Sequence, residues 1–146
     1  MLLYKNHRFH CEGVSFAIPE GMYLDTSYEE IPEDTIHLWS KDEQLYVRIG
    51  IQRETKGAFE ELAFVLRELE EITVVDPPKP ILMGGLAGYV ATYISEPKEW
   101  WEAHLDISGT GDVRTELLIL IRSVGKLPGE KEMNKLLQMI GLRKES

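Results

Sequence analysis

One stretch, residues 81–95 (ILMGGLAGYVATYIS), constrains the fold more than any other part of the chain. Gly84 and Gly85 separate two apolar runs, and adjacent glycines reach the positive φ angles that a tight hairpin turn requires. From Leu86 to Ser95 both alternating sets of side chains are largely apolar or aromatic, which is typical of a strand covered on both faces. The sequence therefore predicts a hairpin whose second strand lies inside a sheet, with helices or loops packed over each face.

The bulk composition indicates a single domain, residues 1–146. Of the 146 residues, 43% are hydrophobic, which is sufficient for one core. The formal net charge of -9 opposes binding to the phosphate backbone of a nucleic acid. No apolar run approaches the length of a membrane span, and the N-terminal segment lacks the apolar core of a secretory signal. With a single cysteine, Cys11, these features predict a cytoplasmic protein if Met1 is the natural start.

Acidic residues are concentrated between Arg8 and Lys41, and no lysine or arginine lies between these two positions. Such a cluster is typical of a solvated, solubilising surface, and it also suits docking of a protein with a basic surface. The docking interpretation selects four acidic side chains and one aromatic side chain that points away from the apolar stripe of its predicted helix. These candidates are Glu29, Glu30, Glu33, Asp34 and Phe64.

Hydrophobic periodicity divides the rest of the chain into strands and two helices. Residues 58–72 and 130–140 repeat apolar side chains at three- and four-residue spacing and are predicted to be helical. Short runs of alternating or continuous apolar residues between turn signals predict the strands. The predicted order is β-β-β-β-α-β-β-β-β-α. This order indicates an α+β protein with an antiparallel sheet of about six to seven strands and helices on both faces.

The order of elements resembles that of a known fold group. The segment GVSFAIPEGM (13–22), the acidic helix after a strand pair, the hairpin and the closing helix together are similar to the PsbP-like group. That group includes the extrinsic PsbP protein of photosystem II, the Ran-binding Mog proteins and bacterial DcrB-like proteins. The resemblance implies an antiparallel sheet with helices on both faces. Known members mostly bind other proteins and share no common chemistry, so the resemblance implies no catalytic residue here.

A row of polar side chains lies on the predicted strand 100–108. Glu102, His104 and Asp106 alternate with apolar residues, so they share one face at spacings of about 7 Å. A histidine between carboxylates can act as an oriented general base or bind a ligand, but the favoured interpretation is the solvated face of an outer strand, where charges also discourage edge pairing. Trp100 lies beside the row and is the candidate aromatic contact.

These observations favour a non-enzymatic protein-binding or adaptor domain whose partner has a basic surface. The alternative is a small-molecule or metal-ion binding protein that uses the face of Glu102, His104 and Asp106. A small hydrolase or isomerase on the same row is the weaker alternative, because no nucleophile or oxyanion motif accompanies it. The sequence predicts no cofactor, since the glycines at 84–88 lack the lysine of a phosphate loop. It also predicts no metal site.

Overall fold

The computed structural model describes residues 2–27 and 34–145. Within these residues the chain forms eleven strands and two helices. In chain order they are β1 (Leu3–Lys5), β2 (Arg8–Cys11), β3 (Val14–Phe16), β4 (Met22–Leu24), β5 (Thr35–Ser40), β6 (Leu45–Thr55), α1 (Ala58–Glu68), β7 (Thr73–Met83), β8 (Leu86–Ser95), β9 (Lys98–Thr110), β10 (Val113–Val124), α2 (Glu130–Ile140) and β11 (Arg143–Lys144). None of the described helices is long and apolar enough to cross a membrane.

The strands form two sheets, and every pairing between them is antiparallel. The larger sheet has the order β4-β5-β6-β10-β9-β8-β7, and the smaller has the order β1-β2-β3-β11. Strands account for 57% of the described residues and helices for only 16%, so the predicted α+β class with helices on both faces is wrong. The small sheet, together with α2, packs on one face of the large sheet, and α1 packs mainly against β7, β8 and β9 on the other.

The error has a physical cause in the N-terminal segment. The sequence pattern assigned the strands around 7–11 and 14–18 to the main sheet, because alternation identifies a strand but not its partner. In the structure Phe16 and Val14 are fully buried under the large sheet, and β3 pairs with the C-terminal strand β11 instead. A second β sheet and α2 therefore together cover the face on which helices alone were expected.

The predicted hairpin at Gly84 and Gly85 is confirmed. Both glycines have positive φ angles, 56° and 86°, and Met83 pairs directly with Leu86 across the turn. Strand β7 is the edge of the large sheet, and it contains the prolines of the 76–80 segment. An edge strand tolerates proline because the missing N–H would otherwise face no partner.

Alternation divides the central strands between the core and a second face. Leu105, Leu117, Ile119 and Ile121 point toward the small sheet and α2 and are fully buried. The intervening side chains of β6, β8, β9 and β10 point to the opposite face, under α1. This opposite face contains the candidate site.

Helix α1 is shorter than predicted and covers this face only in part. It ends at Glu68, and Leu69 has an extended conformation. Glu68, Glu70 and Glu71 crowd negative charge at the helix C-terminus, which the helix dipole disfavours. Leu62 is fully buried against the sheet, so the helix is attached mainly by its N-terminal half.

Candidate functional site

A continuous chain of five hydrogen-bonded side chains crosses the face of the sheet under α1. The Tyr93 hydroxyl donates to Glu102 Oε1 at 2.8 Å, and Glu102 Oε2 lies 2.6 Å from His104 Nε2. On the other side of the ring, His104 Nδ1 lies 2.6 Å from Glu116 Oε1. Thr55 Oγ1 then donates to Glu116 Oε2 at 3.1 Å. The chain connects β8, β9, β10 and β6, so it links four adjacent strands.

The central histidine of this chain is held in its charged form. Glu102, His104 and Glu116 have side chains only 4%, 2% and 0% exposed. Burial alone would lower the pKa of His104, but its hydrogen bonds to the two carboxylates and their charges reverse the effect and raise the pKa to about 9. Near neutral pH both ring nitrogens therefore carry protons and donate.

This arrangement restricts the chemistry of the histidine. An imidazolium with both N–H groups bonded to carboxylates has no lone pair for a metal ion or for a substrate proton. Among residues 2–27 and 34–145, no group of three or more histidine, cysteine, aspartate or glutamate side chains is arranged to hold a metal ion. The Glu102–His104–Glu116 cluster serves instead as a rigid polar floor.

A cavity of about 460 Å³ lies above this floor, between α1 and the sheet. Its walls are mostly apolar. The helix side contributes Phe64, Val65 and Leu69, and the sheet side contributes Leu118 and Leu120. The volume is within the range of about 300–1,000 Å³ that is usual for small-molecule sites.

Two aromatic rings form one end of the cavity. Trp100 stacks on Tyr93 with ring centroids 5.8 Å apart and an interplanar angle of 10°. Arg122 lies directly across from Trp100 on the neighbouring strand β10. Its guanidinium is 5.5 Å from the Trp100 ring centroid and so stabilises the position of the indole. Burial raises the pKa of the Tyr93 hydroxyl, and the charge of Glu102 adds to this shift. The Tyr93 hydroxyl therefore remains a neutral donor to the floor.

Arg48 is the charged side chain on the opposite side of the floor. It lies on β6, directly across from Leu120, and it lines the cavity. Within the described residues its guanidinium has no carboxylate oxygen within 4.0 Å. The charge of Arg48 also affects a neighbouring group. Burial lowers the pKa of His37 on the adjacent strand, and the charge of Arg48 lowers it further. The cavity therefore contains an arginine that is not neutralised by a nearby acid.

The structure brings together part of the predicted polar row. Glu102 and His104 are 3% and 2% exposed, so the interpretation of the row as a solvated strand face is wrong for these two residues. Asp106 lies directly across from Glu116 on the paired strands, but its side chain is 37% exposed and is not a member of the hydrogen-bonded chain. Its carboxylate instead accepts a 3.0 Å hydrogen bond from the Ala58 N–H at the start of α1.

Glu116 takes the place that the sequence assigned to Asp106. The run LLILI makes both faces of β10 apolar at its centre, and this pattern does not single out Glu116. One signal would have identified it: a glutamate directly before the run LLILI, which a buried strand tolerates only when the carboxylate has a partner. Alternation likewise places Arg48 on the outward face of its strand and does not show that this face borders a cavity.

Of the predicted protein-binding residues, the structure describes Asp34 and Phe64. Glu29, Glu30 and Glu33 lie outside the described residues. Asp34 is only 6% exposed and forms a 2.8 Å ion pair with Arg53 Nη1, so it does not lie on a solvated acidic surface. Phe64 is 50% exposed and lies at the wall of the cavity, on the helix side.

Fold and site together define a two-sheet, antiparallel β protein with a lined cavity under its first helix. No protein-family model and no curated protein matches the chain. Among solved structures it is similar to LpqN, involved in cell envelope biogenesis of Mycobacterium tuberculosis, at 10% identity and a TM-score of 0.55, covering 91% of this chain and 83% of LpqN.

A second similar structure comes from Bacteroides thetaiotaomicron. It is 15% identical, with a TM-score of 0.45, and the match covers 92% of this chain and 46% of the other. The chain thus spans less than half the length of that protein. At these identities the likeness to LpqN concerns the fold alone. Neither match names a PsbP-like protein, so the resemblance to that group stays a prediction.

Proposed function

We propose that the protein binds a small, mainly apolar molecule in the cavity between α1 and the large sheet. The observation that carries the proposal is the combination of a cavity of about 460 Å³, apolar walls and a fixed polar floor. Binding sites of this kind place a few polar groups in a concave, mostly apolar surface, because burial supplies affinity and the polar groups orient the ligand.

The hydrogen-bond chain under the cavity supports a pre-formed site. Each oxygen of Glu102 and Glu116 already accepts a hydrogen bond from within the protein. A fully satisfied buried network is rigid, so the floor keeps its shape with or without an occupant. A ligand that enters such a site has less conformational entropy of the protein to offset.

The same geometry favours binding over catalysis. A general base needs a lone pair within reach of the substrate, and both nitrogens of His104 face carboxylates of the protein. The predicted adaptor function remains a separate prediction, because three of its acidic candidates lie outside the described residues. The predicted cytoplasmic location also remains a prediction.

The proposal is tested with N-phenylnaphthylamine, a neutral dye whose fluorescence rises in apolar surroundings. We expect saturable binding to the wild-type protein. Val65→Phe places a larger side chain in the cavity and so takes space from the dye, and the dye affinity is expected to fall about tenfold or more, which corresponds to about 1.4 kcal/mol.

Val113→Phe is the matched control, since the same exchange is made at a position that is 73% exposed on β10. This variant is expected to bind the dye as the wild-type protein does. Thermal unfolding of both variants establishes that they are folded. Absence of saturable dye binding to the wild-type protein, or an equal effect of the two substitutions, would contradict the proposal.

A further inference from the structure

The polar capacity left open in the cavity is unequal between donors and acceptors. On the donor side, Arg48 lines the cavity and has no ion-pair partner within the part of the chain that the structure describes. A half-buried guanidinium presents up to five N–H groups in a planar fork. An arginine in this position is most favourably satisfied by an acceptor that can engage two N–H groups at once.

The carboxylates that line the cavity are already engaged or remain in water. Glu102 accepts from Tyr93 with one oxygen and from His104 with the other. Glu61, on the helix side, accepts from the backbone N–H of Lys56 at 3.0 Å. Glu70 follows the end of α1 and is exposed, so its charge is solvated at the rim. The cavity thus offers a free cationic donor and no comparable free acceptor on its floor.

From this imbalance we infer that the ligand is an amphipathic monocarboxylate, with its carboxylate on Arg48 and its apolar chain along Phe64, Leu69 and Leu118. The inference rests on the proposed function and specifies the class of ligand. The floor from Arg48 on β6 to Tyr93 on β8 crosses three strand spacings, or roughly 14 Å, which accommodates an extended apolar chain.

The charges that line the cavity favour a ligand with a single negative charge. Among the described residues that line it, Arg48 is the one arginine or lysine, and a monocarboxylate matches its single positive charge. Glu61 and Glu70 add negative charge at the rim. A phosphate monoester or a dicarboxylate would bring a second negative charge near these groups, and like charges in a partly buried site repel strongly. A ligand with a cationic head would place its charge against Arg48.

The test compares three ligands of equal chain length by displacement of N-phenylnaphthylamine near neutral pH: decanoate, decanol and decylamine. We expect decanoate to displace the dye at the lowest concentration and decylamine at the highest. Arg48→Gln removes the charge and keeps a polar side chain, so the affinity for decanoate is expected to fall about tenfold or more. The affinities for decanol and for the dye are expected to change much less than the affinity for decanoate, because neither molecule is charged.

Arg67→Gln is the matched control, because Arg67 lies on α1 near Phe64 but does not line the cavity. Its effect on decanoate is expected to be below about twofold, since an exposed charge is screened by salt. If the wild-type protein binds the dye but prefers decanol or decylamine, or if Arg48→Gln and Arg67→Gln act equally, the carboxylate inference is overturned and the proposed function stands. If the dye itself does not bind, both fail.

Discussion

The charged state of His104 makes the stability of the fold depend on pH above neutrality. The histidine has a pKa of about 9 in the folded protein and the ordinary value of 6.5 when unfolded. A group whose pKa is raised by folding stabilises the fold fully below its unfolded pKa and loses that contribution as the pH rises through its folded pKa. The difference corresponds to about 3 kcal/mol of unfolding free energy, lost between about pH 6.5 and pH 9.5.

The substitution Glu116→Gln tests the cause of this dependence. The amide is nearly the same size and still accepts from Thr55, but it removes one of the two charges that hold the imidazolium. Hydrogen bonds to charged groups contribute about 1.5–3 kcal/mol, so we expect a loss of about 2 kcal/mol near neutral pH. The pKa of His104 in the folded protein falls as well, so the loss of stability with rising pH is expected to be smaller and to be complete at a lower pH.

Two measurements check this reasoning. Urea unfolding from about pH 6 to pH 9.5 gives the free energy of unfolding of the wild-type protein and of the variant. NMR titration of the imidazole resonances of His104 gives its pKa directly. A wild-type titration midpoint near the ordinary value, or a stability of the wild-type protein that does not fall over this interval, would refute the assignment of a buried imidazolium.

Two further predictions concern local structure and are measured by thermal or urea unfolding. Gly84→Ala is expected to destabilise the protein by more than Gly111→Ala. Both glycines have positive φ, but a Cβ at Gly84 would collide with the Leu142 carbonyl oxygen, whereas a Cβ at Gly111 would meet open space. Equal losses of stability would show that only backbone strain matters. Asp106→Ala removes the acceptor for the first N–H of α1 and is expected to lower the free energy of unfolding by about 1 kcal/mol. Asp112→Ala, in the exposed turn, is expected to change stability little. An equal effect of these two substitutions would refute the capping role.

Several local features of the fold follow from sequence alone. The Gly84-Gly85 hairpin is predicted because only glycine accepts such φ angles without strain. Helix α2 begins and ends where periodicity and the cap glycine Gly141, with φ of 58°, place it. The face shared by Glu102 and His104 is likewise a local property, since side chains alternate along a strand. Each of these features depends on residues only a few positions apart.

The tertiary structure decided which of these pieces meet. Whether β3 joins the large sheet or the small one depends on its pairing with β11, more than a hundred residues away in the chain. Glu116 completes the cluster because β10 pairs with β9 in a register that sets Glu116 opposite Asp106 and Leu118 opposite His104, and alternation within one strand carries no information about its neighbour. The environments of His104 and Arg48 follow from those pairings, because side chains of four strands and one helix form the cavity. Sequence periodicity thus identifies strands and their faces, while burial, pKa and the ligand-binding surface depend on long-range register.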